Sequence, residues 1–136
     1  KRLVQVTYEA MWKGIRAVGP GARLGDVGHA IERHARRHGY SVVRDFCGHG
    51  IGREMHEPPQ VLHFGRPNTG LVLREGMVFT IEPMLNQGRH AVRTEDDGWT
   101  VVTVDGGLSA QFEHTVAVTR SGFRVLTLRE GERMPQ

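Results

Sequence analysis

The hydrophobic pattern of the chain changes its period once, near Gly76, and this change restricts the possible folds more than any other feature. Before Gly76, apolar residues recur at the spacing of an amphipathic helix in two segments, whereas after it they alternate with polar residues in short runs. Periods of about 3.6 and about 2 are typical of helices and strands respectively. The order therefore predicts an α+β domain, with two helices on one face of an antiparallel sheet and a functional site on the other.

The predicted elements can be placed along the chain. The first helix ends before the breaker Gly19-Pro20-Gly21 and the second before Gly39, and residues 40–43 are typical of a strand. Glycine, proline and charged residues crowd residues 48–70, which predicts a long loop. The apolar helix faces comprise Leu3, Val4, Met11, Ile15 and Val18, then Leu24, Val27, Ile31 and Ala35. Later strands are predicted at residues 77–81, 91–93, 99–104, 108–119 and 123–126.

The composition is that of an ordinary globular protein. With 136 residues, 38% of them apolar and 24% charged, the chain is expected to form one domain over residues 1–136. No apolar run is long enough to cross a bilayer, and the single cysteine, Cys47, cannot form an internal disulfide. A soluble, cytoplasmic protein without a membrane partner is expected. The chain begins with Lys1, without an initiator methionine and within the pattern of the first helix, which predicts that the sequence starts inside a larger protein.

The net charge of +3 raises the question of a nucleic-acid partner. The densest basic stretch, residues 33–38, lies in the second predicted helix, where Glu32 stands four residues before Arg36. Such spacing is typical of a solvated helix face with ion pairs. Because basicity without a binding motif carries little weight, a nucleic-acid partner is disfavoured.

Two glutamates occupy unusual places in the strand-rich part. Glu82 follows Val78-Phe79-Thr80-Ile81 and precedes a proline, so it is expected at the end of a strand, on the same face as Thr80. Glu113 lies within an otherwise apolar stretch, where an unpaired buried carboxylate would be costly. Taken alone, Glu113 is as compatible with a structural salt bridge as with metal binding.

Two histidines lie in the predicted loop. His49 is flanked by glycines, which let the backbone approach closely and leave the imidazole free to point into a site; the alternative is a histidine that only caps a turn. The spacing of these glycines is not that of a dinucleotide fingerprint, and the prolines after His56 exclude a helical zinc motif. One imidazole with two glutamates suits manganese, iron, cobalt or zinc, so a metal hydrolase is the chemical expectation.

Taken together, five segments resemble the C-terminal half of the bacterial-type (type I) methionine aminopeptidases in order and spacing. They are Cys47-Gly48-His49-Gly50-Ile51-Gly52, His56-Glu57-Pro58-Pro59, Thr80-Ile81-Glu82-Pro83-Met84, Asp97-Gly98-Trp99-Thr100 and Ser109-Ala110-Gln111-Phe112-Glu113-His114-Thr115. The resemblance implies the pita-bread (creatinase/aminopeptidase) fold, in which a curved antiparallel sheet is backed by helices. Two pseudo-symmetric halves of that fold close around a dinuclear metal centre. Glu82 and Glu113 are only 31 positions apart, which implies the type I class.

The resemblance also implies roles for individual residues. His49, Glu82 and Glu113 are expected to be metal ligands, with Glu113 bridging two divalent ions, and Glu82 is also counted as catalytic. His56 is expected to hydrogen-bond the scissile peptide. Met55 and Trp99 are expected to bind substrate, although Trp99 is equally compatible with a core position in a hairpin. Met55 stands where many family members have phenylalanine.

The implied function is metal-dependent removal of the initiator methionine from nascent proteins, close to the ribosome. The family draws two further aspartate ligands from an N-terminal half, and Asp26, Asp45, Asp96 and Asp97 lie in the wrong elements to replace them. The chain thus holds three of five ligands and is expected to be inactive alone. Two alternatives are a non-catalytic homologue that binds peptide, ribosome or nucleic acid, and a relative that cleaves X-Pro bonds, such as aminopeptidase P or prolidase.

Overall fold

A computed structural model describes residues 1–135 and contains two helices followed by ten short strands. The helices are α1 (Arg2–Arg16) and α2 (Leu24–Arg37). The strands are β1 (Ser41–Val42), β2 (Gly48–Gly50), β3 (Glu57–Val61), β4 (Val78–Ile81), β5 (Met84–Asn86), β6 (Val92–Thr94), β7 (Val101–Thr103), β8 (Ser109–Gln111), β9 (His114–Thr119) and β10 (Gly122–Val125). The predicted α+β order is confirmed.

The two helices pack against each other and supply much of the core. At Gly14 a side chain would collide with Ile31, so the glycine allows α1 and α2 to approach closely. The predicted apolar faces are buried except at one position: Val4 is 50% exposed, so its assignment to the inner face is wrong. Its neighbours Leu3 and Val6 are buried, because they lie on the side of α1 that faces the core, whereas Val4 lies on the side that faces solvent.

The strands form three antiparallel sheets. The largest has the order β10-β9-β4-β2-β3, a second has the order β1-β5-β8, and β6 pairs with β7 in a hairpin. Helix α1 packs on β4, β5 and β8, and α2 packs near β1, so the helices back the sheets. Within residues 1–135, neither helix is long and apolar enough to cross a membrane.

Three details differ from the sequence prediction. Residues 48–70 are not one long loop, because they contain β2 and β3; Pro58 and Pro59 are accommodated because β3 is an edge strand. The predicted strand at 108–119 is broken at Phe112 and Glu113 into β8 and β9, which belong to different sheets. Strand β5 was not predicted, since Pro83 ends β4 but the chain then pairs with β1 and β8.

Candidate metal centre

Strand register brings the three candidate ligands together. β4 pairs with β9 so that Ile81 lies opposite His114. In an antiparallel pair the residue after Ile81 and the residue before His114 lie side by side, which places Glu82 next to Glu113. β2 lies on the other side of β4, with Gly50 opposite Phe79, and this carries His49 to the same edge. One ligand atom from each of His49, Glu82 and Glu113 lies within 4.8 Å of the other two.

The His49 imidazole is held in an orientation suited to metal binding. Its Nδ1 lies 3.1 Å from the carbonyl oxygen of Gly50, and since a carbonyl can only accept, Nδ1 carries the proton. Nε2 is then left with its lone pair, and it lies 3.5 Å from Oε2 of Glu82. A fixed tautomer of this kind is usual for histidines that bind metals.

Thr80 connects the histidine and the glutamate. Its hydroxyl accepts a hydrogen bond of 2.9 Å from the backbone N–H of His49 and donates one of 2.8 Å to Oε2 of Glu82. The shared face predicted for Thr80 and Glu82 is thus confirmed. Because Thr80 is buried, the two bonds fix the relative position of β2 and the end of β4.

The glycines around His49 are required by close backbone contacts. A Cβ atom on Gly48 would overlap the carbonyl oxygen of Thr80, and one on Gly50 would overlap the carbonyl oxygen of Pro58. The glycines therefore let β2 lie tightly between β4 and β3. This is the role that the sequence suggested for them.

The electrostatics of the centre favour a divalent cation. Burial raises the pKa of the Glu82 carboxyl and the nearby Glu113 carboxylate raises it further, although the Thr80 hydroxyl and His49 oppose the shift. Within residues 1–135, neither carboxylate forms an ion pair with a lysine or an arginine. Two adjacent carboxylates and one imidazole, without a lysine or arginine partner among the described residues, are a donor set that fits such an ion.

Glu113 is exposed, contrary to the expectation that its carboxylate would be enclosed by apolar residues. The break between β8 and β9 turns it outward, while His114 on the next position is buried. The alternative of a structural salt bridge is also wrong for Glu113 within the described residues, since no basic side chain pairs with it there. Exposure leaves its carboxylate accessible to an ion from solvent.

His63 is a further residue of the centre that the sequence did not reveal. Its side chain is buried, and its Nε2 accepts a 3.0 Å hydrogen bond from the backbone N–H of Glu82. Burial lowers the pKa of His63 to about 4, so the imidazole is neutral and can act as an acceptor. On the other side, the Gln111 side chain donates to the carbonyl oxygen of Glu82 over 3.1 Å. The only sequence signal was a histidine within the apolar run Val61-Leu62-His63-Phe64.

The predicted substrate-binding residues lie in different surroundings. His56 is exposed just before β3, and its ring centroid is 4.2 Å from that of His49. Met55, beside it, is 72% exposed. Trp99 lies in the turn of the β6–β7 hairpin and is 87% exposed, so its interpretation as a core residue of the hairpin is wrong.

The four aspartates considered from the sequence, Asp26, Asp45, Asp96 and Asp97, lie outside the centre, as expected. Asp26 caps α2, where its carboxylate accepts the backbone N–H groups of Arg23 and Asn68 at 2.8 and 2.7 Å. Asp97 accepts three hydrogen bonds within the β6–β7 turn. Within residues 1–135, the cluster around His49 includes no aspartate.

Comparisons with known proteins show which family the chain belongs to. Residues 1–120 match the model of metallopeptidase family M24. The chain belongs to this family. A methionine aminopeptidase from Rickettsia prowazekii is 59% identical to it over 129 residues, which is 94% of this chain and 50% of the relative.

Similar solved structures confirm the fold. The crystal structure of methionine aminopeptidase from Rickettsia prowazekii superposes with a TM-score of 0.92 at 58% identity, and covers 93% of this chain and 52% of that one. A prolidase from Pyrococcus furiosus is more distant, with a TM-score of 0.68, 26% identity and coverage of 97% and 33%. The predicted α+β pita-bread fold is therefore confirmed. The M24 chain spans about half the length of the curated relatives that it matches.

Proposed function

We propose that this chain forms the C-terminal half of the active site of a type I methionine aminopeptidase, which removes the initiator methionine from nascent proteins. The observation that carries the proposal is the meeting of His49, Glu82 and Glu113 within 4.8 Å at one sheet edge. The close similarity to methionine aminopeptidases supports the same reaction. The substrates are N-terminal methionyl peptides, and the site of action is the cytoplasm near the ribosome, where such chain ends emerge.

The complete site holds two divalent ions, with cobalt, manganese, iron and zinc as the candidates. His49, Glu82 and Glu113 would hold these ions from this chain. Two aspartates from a segment that corresponds to the other half of the relatives supply the remaining ligands. When bound, the ions acidify a water molecule and so provide the nucleophile for peptide hydrolysis.

The residues of this chain then act on the substrate. His56, next to His49, donates a hydrogen bond to the scissile carbonyl and offsets the negative charge that develops on it. Glu82 is held at both its N–H and its carbonyl, by His63 and Gln111, so its carboxylate stays aligned. The exposed side chains of Met55 and Trp99 offer apolar surface to the methionine side chain.

The two other functions have less support. A non-catalytic homologue would not need three metal-ligating side chains to converge, yet His49, Glu82 and Glu113 do so here. Cleavage of X-Pro bonds is disfavoured because the prolidase likeness is 26% identical, against 59% for a methionine aminopeptidase.

The test is a methionine-release assay on a Met-Gly peptide with added cobalt or manganese. The chain alone should release no methionine, and activity should appear when the other half is restored, covalently or as a second chain. Glu113→Ala in the restored protein is the negative control, and an X-Pro peptide is the competing substrate. Robust turnover by the chain alone would show that three ligands suffice. If the restored protein cleaved only the X-Pro peptide, the proposed specificity for N-terminal methionine would be wrong.

A further inference from the structure

A second group of metal-ligating side chains lies on the helices and shares no residue with the centre around His49. It consists of Glu9 on α1, His34 on α2 and His38, the residue that caps the C-terminal end of α2. One ligand atom from each lies within 4.8 Å of the other two. The group thus joins two helices that are otherwise held together by apolar packing.

Hydrogen bonds hold two of the three side chains, those of His34 and His38, in place. Nε2 of His34 lies 3.1 Å from Oε1 of Glu9. The Nδ1 atom of His38 is bonded to the carbonyl oxygen of His34 at 2.9 Å, so Nδ1 is protonated and Nε2 keeps a free lone pair. The two imidazole rings are one helical turn apart, with centroids separated by 4.5 Å. A helix presents residues four apart on the same face, so both rings point to one side of α2.

The donor set indicates the kind of ion. Two imidazoles and one carboxylate are ligands that zinc, nickel and copper prefer, whereas calcium and magnesium require several oxygen donors. Zinc–nitrogen bonds are about 2.0–2.1 Å, so ligand atoms around a tetrahedral ion are about 3.3 Å apart. One ligand atom from each of the three side chains already lies within 4.8 Å of the other two, close to this spacing. Glu9 is 37% and His34 12% exposed, which leaves the group open to an ion and to water on one side.

The basic residues next to the group influence which ions it can bind. Lys13 and Arg16 line the pocket beside Glu9 and His34, and their positive charge opposes any cation. A hard ion that depends on charge alone would be repelled, because only one carboxylate is available to offset it. The binding affinity of an ion that forms strong bonds to imidazole nitrogen is reduced less, since part of that affinity does not depend on the net charge of the pocket.

We propose that Glu9, His34 and His38 form a separate binding site for a zinc-class divalent ion, which links α1 to α2. An ion bound only by the folded chain stabilises it by mass action, so the site adds a metal-dependent contribution to the packing of the helices. The site is independent of the proposed peptidase centre and does not need its ligands.

The experiment is a calorimetric zinc titration of the full chain, in which His49→Ala and Glu113→Ala first disable the candidate centre. This background protein should bind one zinc per chain and unfold at a higher temperature with zinc than with magnesium. His38→Gln in the same background should weaken zinc binding by more than about ten-fold, as the loss of a direct ligand, and remove the thermal shift. His29→Gln is the matched control, because His29 lies on α2 but outside the group, and it should bind zinc as the background does.

Circular dichroism without metal verifies the fold of each variant. If His38→Gln fails to fold, Glu9→Gln removes the carboxylate from the other helix and should cause the same loss. Equal zinc affinity in the background and in the ligand variants, or no zinc binding by the background, would overturn the proposed site.

Discussion

Oε2 of Glu132 lies 2.9 Å from Nε2 of His114, the residue that follows Glu113 in the chain. The same oxygen accepts a 2.6 Å hydrogen bond from the Tyr8 hydroxyl on α1. Both His114 and Glu132 have side chains that are only 5% exposed. The C-terminal segment is thus tied to α1 and to the start of β9, directly beside a candidate metal ligand.

Replacement of Glu132 by glutamine should destabilise the chain near neutral pH. The variant keeps the size of the side chain but loses hydrogen bonds to a buried charge, which contribute about 1.5–3 kcal/mol. Urea unfolding of the chain followed by circular dichroism measures the loss. Glu130→Gln is the matched control, because Glu130 is exposed and should leave the free energy of unfolding unchanged.

The pH dependence of the same variant follows from the pKa of Glu132. Burial raises this pKa, but hydrogen bonds from Tyr8, from the Arg129 backbone and from His114 outweigh it and hold the pKa well below its usual range. A carboxylate with a depressed folded pKa stabilises the fold above its unfolded pKa of about 4.3, and this contribution is lost as the pH falls toward the folded value. The stability gap between wild type and Glu132→Gln should therefore narrow below about pH 4. A gap independent of pH would show that charge is not its cause.

Gly48→Ala should disrupt the candidate centre through the backbone. Its Cβ would meet the Thr80 carbonyl, which cannot move without shifting β4, and overpacking of this kind costs about 1–3 kcal/mol. Metal affinity should fall as well, since β2 and β4 position His49 and Glu82. Gly19→Ala is the control, because its Cβ would make only an ordinary 3.7 Å contact. Equal urea midpoints for the two variants would contradict the close approach of β2 and β4.

Glu113→Ala in the restored two-half protein should abolish activity and lower the metal content. A carboxylate that serves two ions contributes to both, so its loss weakens both. Elemental analysis of the purified protein gives the stoichiometry, with Glu130→Gln as a surface control. A metal content equal to that of wild type would rule out Glu113 as a ligand.

His56→Ala in the restored protein should reduce kcat by roughly a hundred-fold or more while the metal content stays the same, if the imidazole stabilises charge in the transition state. Steady-state kinetics on a Met-Gly peptide separate kcat from KM. An effect confined to KM would mean that His56 only binds substrate. Loss of metal would instead make it a ligand.

The amino-acid sequence determined the elements whose signals are local. Leu24, Val27, Ile31 and Ala35 marked the buried face of α2, because helical periodicity depends only on residues within a few positions. Resemblance over five segments then indicated the family and the candidate ligands His49, Glu82 and Glu113. The family and the candidate ligands could be named from residue types and their spacing, without knowledge of the fold.

Only the tertiary structure decided which distant residues meet. The register of β4 against β9 places Glu82 beside Glu113, and the path of β3 brings His63 to the backbone of Glu82. The pairing of Glu132 with His114 and the contact of His34 with Glu9 likewise join separate elements. Such contacts depend on strand register and helix packing across the whole domain, and no local pattern in the sequence records them.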